Sequence, residues 1–124
     1  MIMLDTHVAL GLYEGHTRGL GAEARRAIDR DVVTISPIVL LEIEILHEIH
    51  RIREGAKVVA AALAADLDIR VAGERFSDVA TESLSWAFTR DPFDRLIVAH
   101  AALAKAGLIT QDTLIRYRYP KAIS

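Results

Sequence analysis

The feature that most constrains the fold is the alternation of short apolar runs with longer stretches of helical periodicity. Ile2-Met3-Leu4, Val32 to Ile35 and Leu108-Ile109-Thr110 are nearly continuous in apolar character. A strand with one face in water alternates polar and apolar residues, whereas a continuous run belongs to a sheet covered on both faces. Between these runs lie helical segments. Thr6 to Tyr13 stops near Gly15, and Leu20 to Arg30 carries Leu20, Ala24, Ala27 and Ile28 at helical spacing. Ser36-Pro37 is a strong start, because serine caps free amides and proline is tolerated in the first turn; the pattern from there runs to about Glu54. Gly55 breaks it before an alanine-rich helix over Ala56 to Ala65, and Leu67 to Val71 reads as a further strand. Phe76 to Phe88 is helical, with Val79, Ala80, Leu84 and Ala87 on one side, and Asp91-Pro92 opens a helix ending near Gly107. The alternation predicts an α/β sandwich, a mainly parallel central sheet with helices on both faces.

A chain of 124 residues suits one domain, 1–124, and its 52% hydrophobic content sets it apart from disordered sequences. The absence of cysteine excludes a disulfide framework, a thiolate nucleophile and a cysteine-ligated zinc or iron–sulfur site. Any metal is therefore held by oxygen or imidazole. No apolar stretch approaches the roughly 20 residues of a membrane span, and no secretory leader is recognisable, so the expected location is cytoplasmic. A formal net charge of −2 argues at first against a polyanionic partner. The argument weakens if several acids gather at one cation-neutralised site, because Arg25, Arg26, Arg51, Arg53, Arg116, Arg118 and Lys121 then leave the remaining surface slightly basic.

In parallel α/β sheets ligands bind beyond the carboxyl ends of the strands. Asp5 directly follows the first strand and Asp112 follows the last predicted one by two residues. Taken singly, each is explained as a helix cap or turn residue. Glu42 is harder to explain that way. Ile38 lies four residues before it, and Ile45, Leu46 and Ile49 lie three, four and seven after it, so the carboxylate interrupts an apolar stripe. A charge so placed calls for a metal, a cation or a proton. Asp94 repeats the pattern with Ile97, Val98 and Ala101, although Asp91-Pro92-Phe93-Asp94 also fits a helix start in which Asp91 is the cap. Glu44 and Glu48 read as solvated.

Two acids at strand ends and two on inward helix stripes make an oxygen-rich, strongly negative pocket. Hard divalent ions, Mg2+ or Mn2+, suit such a donor set and leave positions open for phosphate oxygens. The chemistry this favours is metal-assisted phosphodiester hydrolysis.

Four segments carry a family resemblance: Leu4-Asp5-Thr6-His7; Ser36 to Glu42, S-P-I-V-L-L-E; Arg90 to Ala101, R-D-P-F-D-R-L-I-V-A-H-A; and Leu108 to Asp112, L-I-T-Q-D. Together they resemble the PIN-domain nucleases, especially the VapC-like branch with a DPFDR signature. The resemblance implies a PIN-like three-layer sandwich and an acidic site for Mg2+ or Mn2+ formed by Asp5, Glu42, Asp94 and Asp112. It adds Thr6 and Thr110 as supporting hydroxyls, beside Asp91, which the helix start itself marks as a cap with a supporting role. It further implies RNA as substrate, cleaved to leave a 5′-phosphate and a 3′-hydroxyl, a cognate antitoxin protein as partner in a type II toxin–antitoxin pair, and a homodimer. Relatives often carry a final short strand, whereas this chain stops soon after Pro120, which predicts an abbreviated last sheet edge.

The competing readings are a PIN-fold module that binds RNA or protein without cutting, and an aspartate-based phosphatase or receiver domain. The latter lacks the D-x-D-x-T arrangement. His47 and His50 lie on the polar side of their helix without a third matching ligand, which argues against zinc. His7 and His100 read as partly buried or surface side chains, Trp86 and Phe88 as packing residues. There is no glycine-rich phosphate loop of the dinucleotide or Walker type.

Overall fold

The computed structural model describes residues 1–124. Five strands, β1 (Ile2–Leu4), β2 (Val33–Ile35), β3 (Arg70–Val71), β4 (Gly107–Ile109) and β5 (Ala122–Ile123), form one sheet in the order β3-β2-β1-β4-β5. Every pairing is parallel. Ile2, Met3 and Leu4 point alternately to the two faces and all three are buried, so helices cover both sides of the sheet. The apolar centre is built on Met3, Leu4, Ile35, Leu108 and Ile109, with Val39, Ile43, Ile97 and Val98 packed from the helices. The α/β sandwich expected from the sequence is the observed architecture.

Seven helices accompany the sheet: α1 (Thr6–Tyr13), α2 (Ala22–Arg30), α3 (Pro37–Glu48), α4 (Ala56–Leu67), α5 (Phe76–Ser83), α6 (Pro92–Leu103) and α7 (Thr113–Arg118). Several stop where the chain turns into the left-handed region. Asp68 (φ 53°) ends α4, and Lys105 (φ 55°) and His50 (φ 63°) follow α6 and α3 closely. The left-handed residues after α3 and α6 account for two departures from the expected boundaries. The helix opened by Ser36-Pro37 ends at Glu48 rather than Glu54, and the one after Asp91 ends at Leu103, leaving Gly107 inside β4. The helix expected over Phe76 to Phe88 ends at Ser83, and Leu84, expected on its packed side, is 74% exposed.

Two features of the C-terminal part differ from the sequence expectation. Helix α7 has no counterpart among the predicted elements; of its residues only Ile115 is buried, too few to show a period, and its cap, Asp112, stands out in the sequence chiefly as a site acid. The last sheet edge is also present, with Leu108 opposite Ala122 and Ile109 opposite Ile123. The Tyr119 hydroxyl ties the turn before it to the Ala106 carbonyl at 2.6 Å.

The strand order places a topological switch between β1 and β4. From β1 the chain builds outward through β2 and β3 on one side, and later through β4 and β5 on the other. The crevice at such a reversal, beyond the carboxyl ends of the strands, is where parallel sheets bind ligands. Asp5 leaves β1 and Asp112 follows β4, so the two acids flank it.

Candidate active site

Asp5 is the N-cap of α1 and only 8% exposed. One carboxylate oxygen accepts the Val8 N–H at 2.9 Å, and the other accepts the Thr110 hydroxyl. Thr110, fully buried, accepts in turn the backbone N–H of Asp112 at 3.1 Å. Asp112 caps α7 by accepting the Ile115 N–H at 2.9 Å. The threonine thus links the two acids across the switch point. Glu42 comes from α3 and accepts the hydroxyl of Thr6, the buried residue after Asp5. Both supporting hydroxyls therefore orient acids by donating to them.

Asp94 lies in the first turn of α6. Asp91 is that helix's cap, accepting the N–H groups of Phe93 at 2.8 Å and Asp94 at 3.3 Å. Asp91 is exposed and Asp94 half-buried, as the division of labour between cap and site requires. The Asp94 carboxylate, unlike the other three, is held by no hydrogen bond; its position follows from the placement of α6.

Electrostatics ties the group together. Partial burial, then the negative charges of Asp91, Asp112, Glu42 and Asp5, push the Asp94 carboxyl up to about 6. Burial also raises Asp5 above the ordinary aspartate range, against the opposing pull of the Thr110 and Val8 bonds and of His7; Asp112 adds to the rise. Thr110 joins Asp5 to Asp112, Thr6 beside Asp5 holds Glu42, and Asp94 feels the charge of all three, so the four predicted acids lie in one region. Glu42 sits beside rather than within the buried stripe of α3, which consists of Val39 and Ile43, and Ile49 is 54% exposed.

The fit to a metal rests on donor chemistry and charge. As they stand, no three of the acidic or imidazole side chains form a ready cluster around one ion. Yet the donors are all carboxylate oxygens, Asp94 is free of internal bonds and the other three keep acceptor capacity beyond theirs, and the assembled negative charge is the kind that hard divalent cations neutralise. A hollow of about 770 Å3 between α3 and α4, lined by Leu40, Leu41 and Val58, contains none of the four acids.

Three polar arrangements have no signature in the sequence. Glu44, expected to be solvated, accepts the Ala56 N–H at 2.9 Å and so caps α4 from α3. Ser36 makes no cap bond to α3; its hydroxyl lies 2.7 Å from His100 Nδ1. His100 is 1% exposed rather than partly open, and its Nε2 lies 2.9 Å from Glu74. Partners 12, 64 and 26 residues apart leave no local signal. Trp86 packs as expected, edge-on against Tyr119 with ring centroids 5.6 Å apart. No helix is long and apolar enough to cross a membrane.

Comparison with known proteins agrees with this fold. The family model for the PIN domain matches residues 2–119. Ribonuclease VapC22 of Mycobacterium tuberculosis is 30% identical over 126 residues, covering 99% of this chain and 96% of that protein. Among solved structures, a toxin–antitoxin complex from Klebsiella pneumoniae superposes with a TM-score of 0.69 at 20% identity, covering 100% of this chain and 97% of the other. The VapC20 toxin of Mycobacterium tuberculosis, described as cleaving the sarcin–ricin loop, gives 0.60 at 23% identity over the whole of both chains. With acids flanking the switch point of a five-stranded parallel sheet and a family match over nearly its full length, the chain belongs to the PIN-domain family.

Proposed function

We propose that the chain is a single-domain endoribonuclease dependent on Mg2+ or Mn2+, of the VapC-like branch marked here by the D-P-F-D-R segment at 91–95. The observation that carries this reading is the convergence of Asp5, Glu42, Asp94 and Asp112 at the carboxyl ends of β1 and β4, on the fold its ribonuclease relative shares.

In this reading the four acids hold the cation. A bound Mg2+ or Mn2+ supplies Lewis-acid stabilisation for in-line hydrolysis of a phosphodiester, leaving a 5′-phosphate and a 3′-hydroxyl. The protein's part is preorganisation. Thr110 and the Val8 N–H fix both oxygens of Asp5, Thr6 fixes Glu42, and the α7 N-terminus fixes Asp112. Orienting the acids before substrate arrives lowers the reorganisation needed during reaction. No covalent protein intermediate is required.

The biological setting we propose is the toxin of a type II pair, restrained by a cognate antitoxin, acting in the cytoplasm and assembled as a homodimer. Structural relatives solved as toxin–antitoxin complexes support the partner. The test is cleavage of single-stranded RNA by purified, partner-free protein. Cleavage is expected with Mn2+ or Mg2+, none with EDTA, and none for Asp5→Asn in either condition. Cation-independent cleavage, or full activity of Asp5→Asn, would refute the proposal. The absence of a ready three-ligand cluster favours one second reading, a PIN-fold module that binds RNA or protein without cutting. Calorimetry showing no heat of Mn2+ binding would select it.

A further inference from the structure

Ser36, His100 and Glu74 form a polar chain through the interior that the proposed chemistry does not use. Ser36 joins β2 to α3, His100 is in the second half of α6, and Glu74 lies between β3 and α5. Ser36 and His100 are 2% and 1% exposed. The Ser36 Oγ to His100 Nδ1 distance is 2.7 Å and the His100 Nε2 to Glu74 Oε1 distance 2.9 Å. An ionised carboxylate only accepts, so His100 Nε2 carries the hydrogen, and in the neutral ring Nδ1 then accepts the Ser36 hydroxyl. The bond from His100 holds the Glu74 carboxyl below its ordinary range. The arrangement lacks the access that a nucleophilic triad needs: Ser36 is sealed from substrate, and the ring presents Nδ1 rather than Nε2 to the serine.

We propose that this chain of groups is a positioning relay that sets the separation of Asp94 from Glu42, an inference that rests on the metal-site reading above. Asp94 lies six residues before His100 on α6, and Glu42 six residues after Ser36 on the segment that begins α3. The relay therefore joins the two helices that carry these acids. Their buried faces, Val39 and Ile43 on α3 and Ile97, Val98 and Ala101 on α6, belong to one apolar cluster, and apolar contact, being non-directional, does not by itself define the setting of one helix against sliding or rotation on the other. Hydrogen bonds are directional and resist both. A slip of α6 by one residue would move Asp94 about 1.5 Å along the helix axis, whereas metal–ligand distances tolerate about 0.2 Å. Asp94 has no bond of its own to correct such a slip. Ser36 gives its hydroxyl to the relay instead of capping α3, so the local helix end is left without a side-chain cap.

The test uses the full chain, comparing Ser36→Ala with Ser36→Thr, which restores the hydroxyl; a hollow of about 50 Å3 beside Ser36 gives room for the added methyl. Mn2+ affinity is read by titration calorimetry, RNA cleavage as kcat and KM, and melting temperature in EDTA. Ser36→Ala is expected to weaken Mn2+ binding by up to about tenfold, the lower end of what loss of a direct partner of a metal ligand costs, and to lower kcat with KM for RNA little changed; Ser36→Thr is expected to recover most of both. Imidazole 15N shifts should show His100 as the Nε2–H tautomer. Unchanged Mn2+ affinity in Ser36→Ala despite a lower melting temperature would reduce the relay to a structural bond and overturn the inference alone, as would the Nδ1–H tautomer. Failure of the wild-type protein to bind Mn2+ would overturn the metal-site reading, and the relay's role with it.

Discussion

Replacing Asp94 by asparagine is expected to stabilise the metal-free protein at neutral pH while abolishing its cation-dependent activity. The carboxyl titrates at about 6 in the fold against 3.8 for the unperturbed group. Its folded form therefore binds a proton more tightly than its unfolded form. Stability from this group is fully present below pH 3.8, falls as pH rises towards about 6, and stays low above it. A shift of that size corresponds to about 3 kcal/mol at full strength. Asp94 is only half-buried, so solvent screening brings the penalty to about 1–2 kcal/mol. Asparagine removes the charge but also forgoes the favourable contact of an anion with the first turn of α6, worth about 0.3–1 kcal/mol. The net gain at pH 7.5 is then about 1 kcal/mol, or roughly 3–5 °C in melting temperature for a chain of this length.

The assay is urea and thermal unfolding of both proteins in EDTA at pH 4 and pH 7.5. The gain should be confined to the higher pH, and near pH 4, where the wild-type carboxyl is protonated, the two proteins should converge or the order reverse. Adding Mn2+ at pH 7.5 should stabilise the wild type strongly and Asp94→Asn little, because cation binding to the folded state alone adds stability by mass action. Asp94→Asn no more stable than wild type at pH 7.5, or more stable by an equal margin at both pH values, would refute the argument that burial, reinforced by the neighbouring acids, raises this carboxyl.

Asp112 both caps α7 and stands among the candidate site acids, and the two roles separate by substitution. Asp112→Asn, which retains a capping oxygen, should unfold within about 0.5 kcal/mol of wild type, whereas Asp112→Ala should lose about 1 kcal/mol; both should be inactive towards RNA. Thr110→Val removes the hydroxyl that donates to Asp5 and accepts from the Asp112 N–H, and should cost about 1–3 kcal/mol in chemical denaturation. It should also raise the Asp5 carboxyl further, seen as a 13C carboxyl titration displaced to higher pH.

The candidate site acids are legible in the sequence alone, and so is the layering of the fold. Continuous apolar runs such as Ile2-Met3-Leu4, too short for helices and set between helical segments, point to a sheet covered on both faces, and Asp91-Pro92 declares a helix start by its own chemistry. Those signals are local, carried by neighbours along the chain. Boundaries are less legible, because α3, α4 and α6 end through left-handed residues, His50, Asp68 and Lys105, that are not glycine.

What only the tertiary structure decided depends on partners distant in sequence. The order β3-β2-β1-β4-β5 brings Asp5 beside Thr110, 105 residues away, and turns two separate strand ends into one crevice. Glu42 illustrates the same point. Its interruption of an apolar pattern marks it out, yet its place beside the buried stripe and its bond from Thr6 are set by how α3 packs against the start of α1. His100 gives no sign at all, since a histidine in an apolar helix reads alike whether it is idle or bonded to Ser36 and Glu74. Sequence periodicity determines which face of an element turns inward; which polar group it meets there is decided by the packing of elements that the chain does not place side by side.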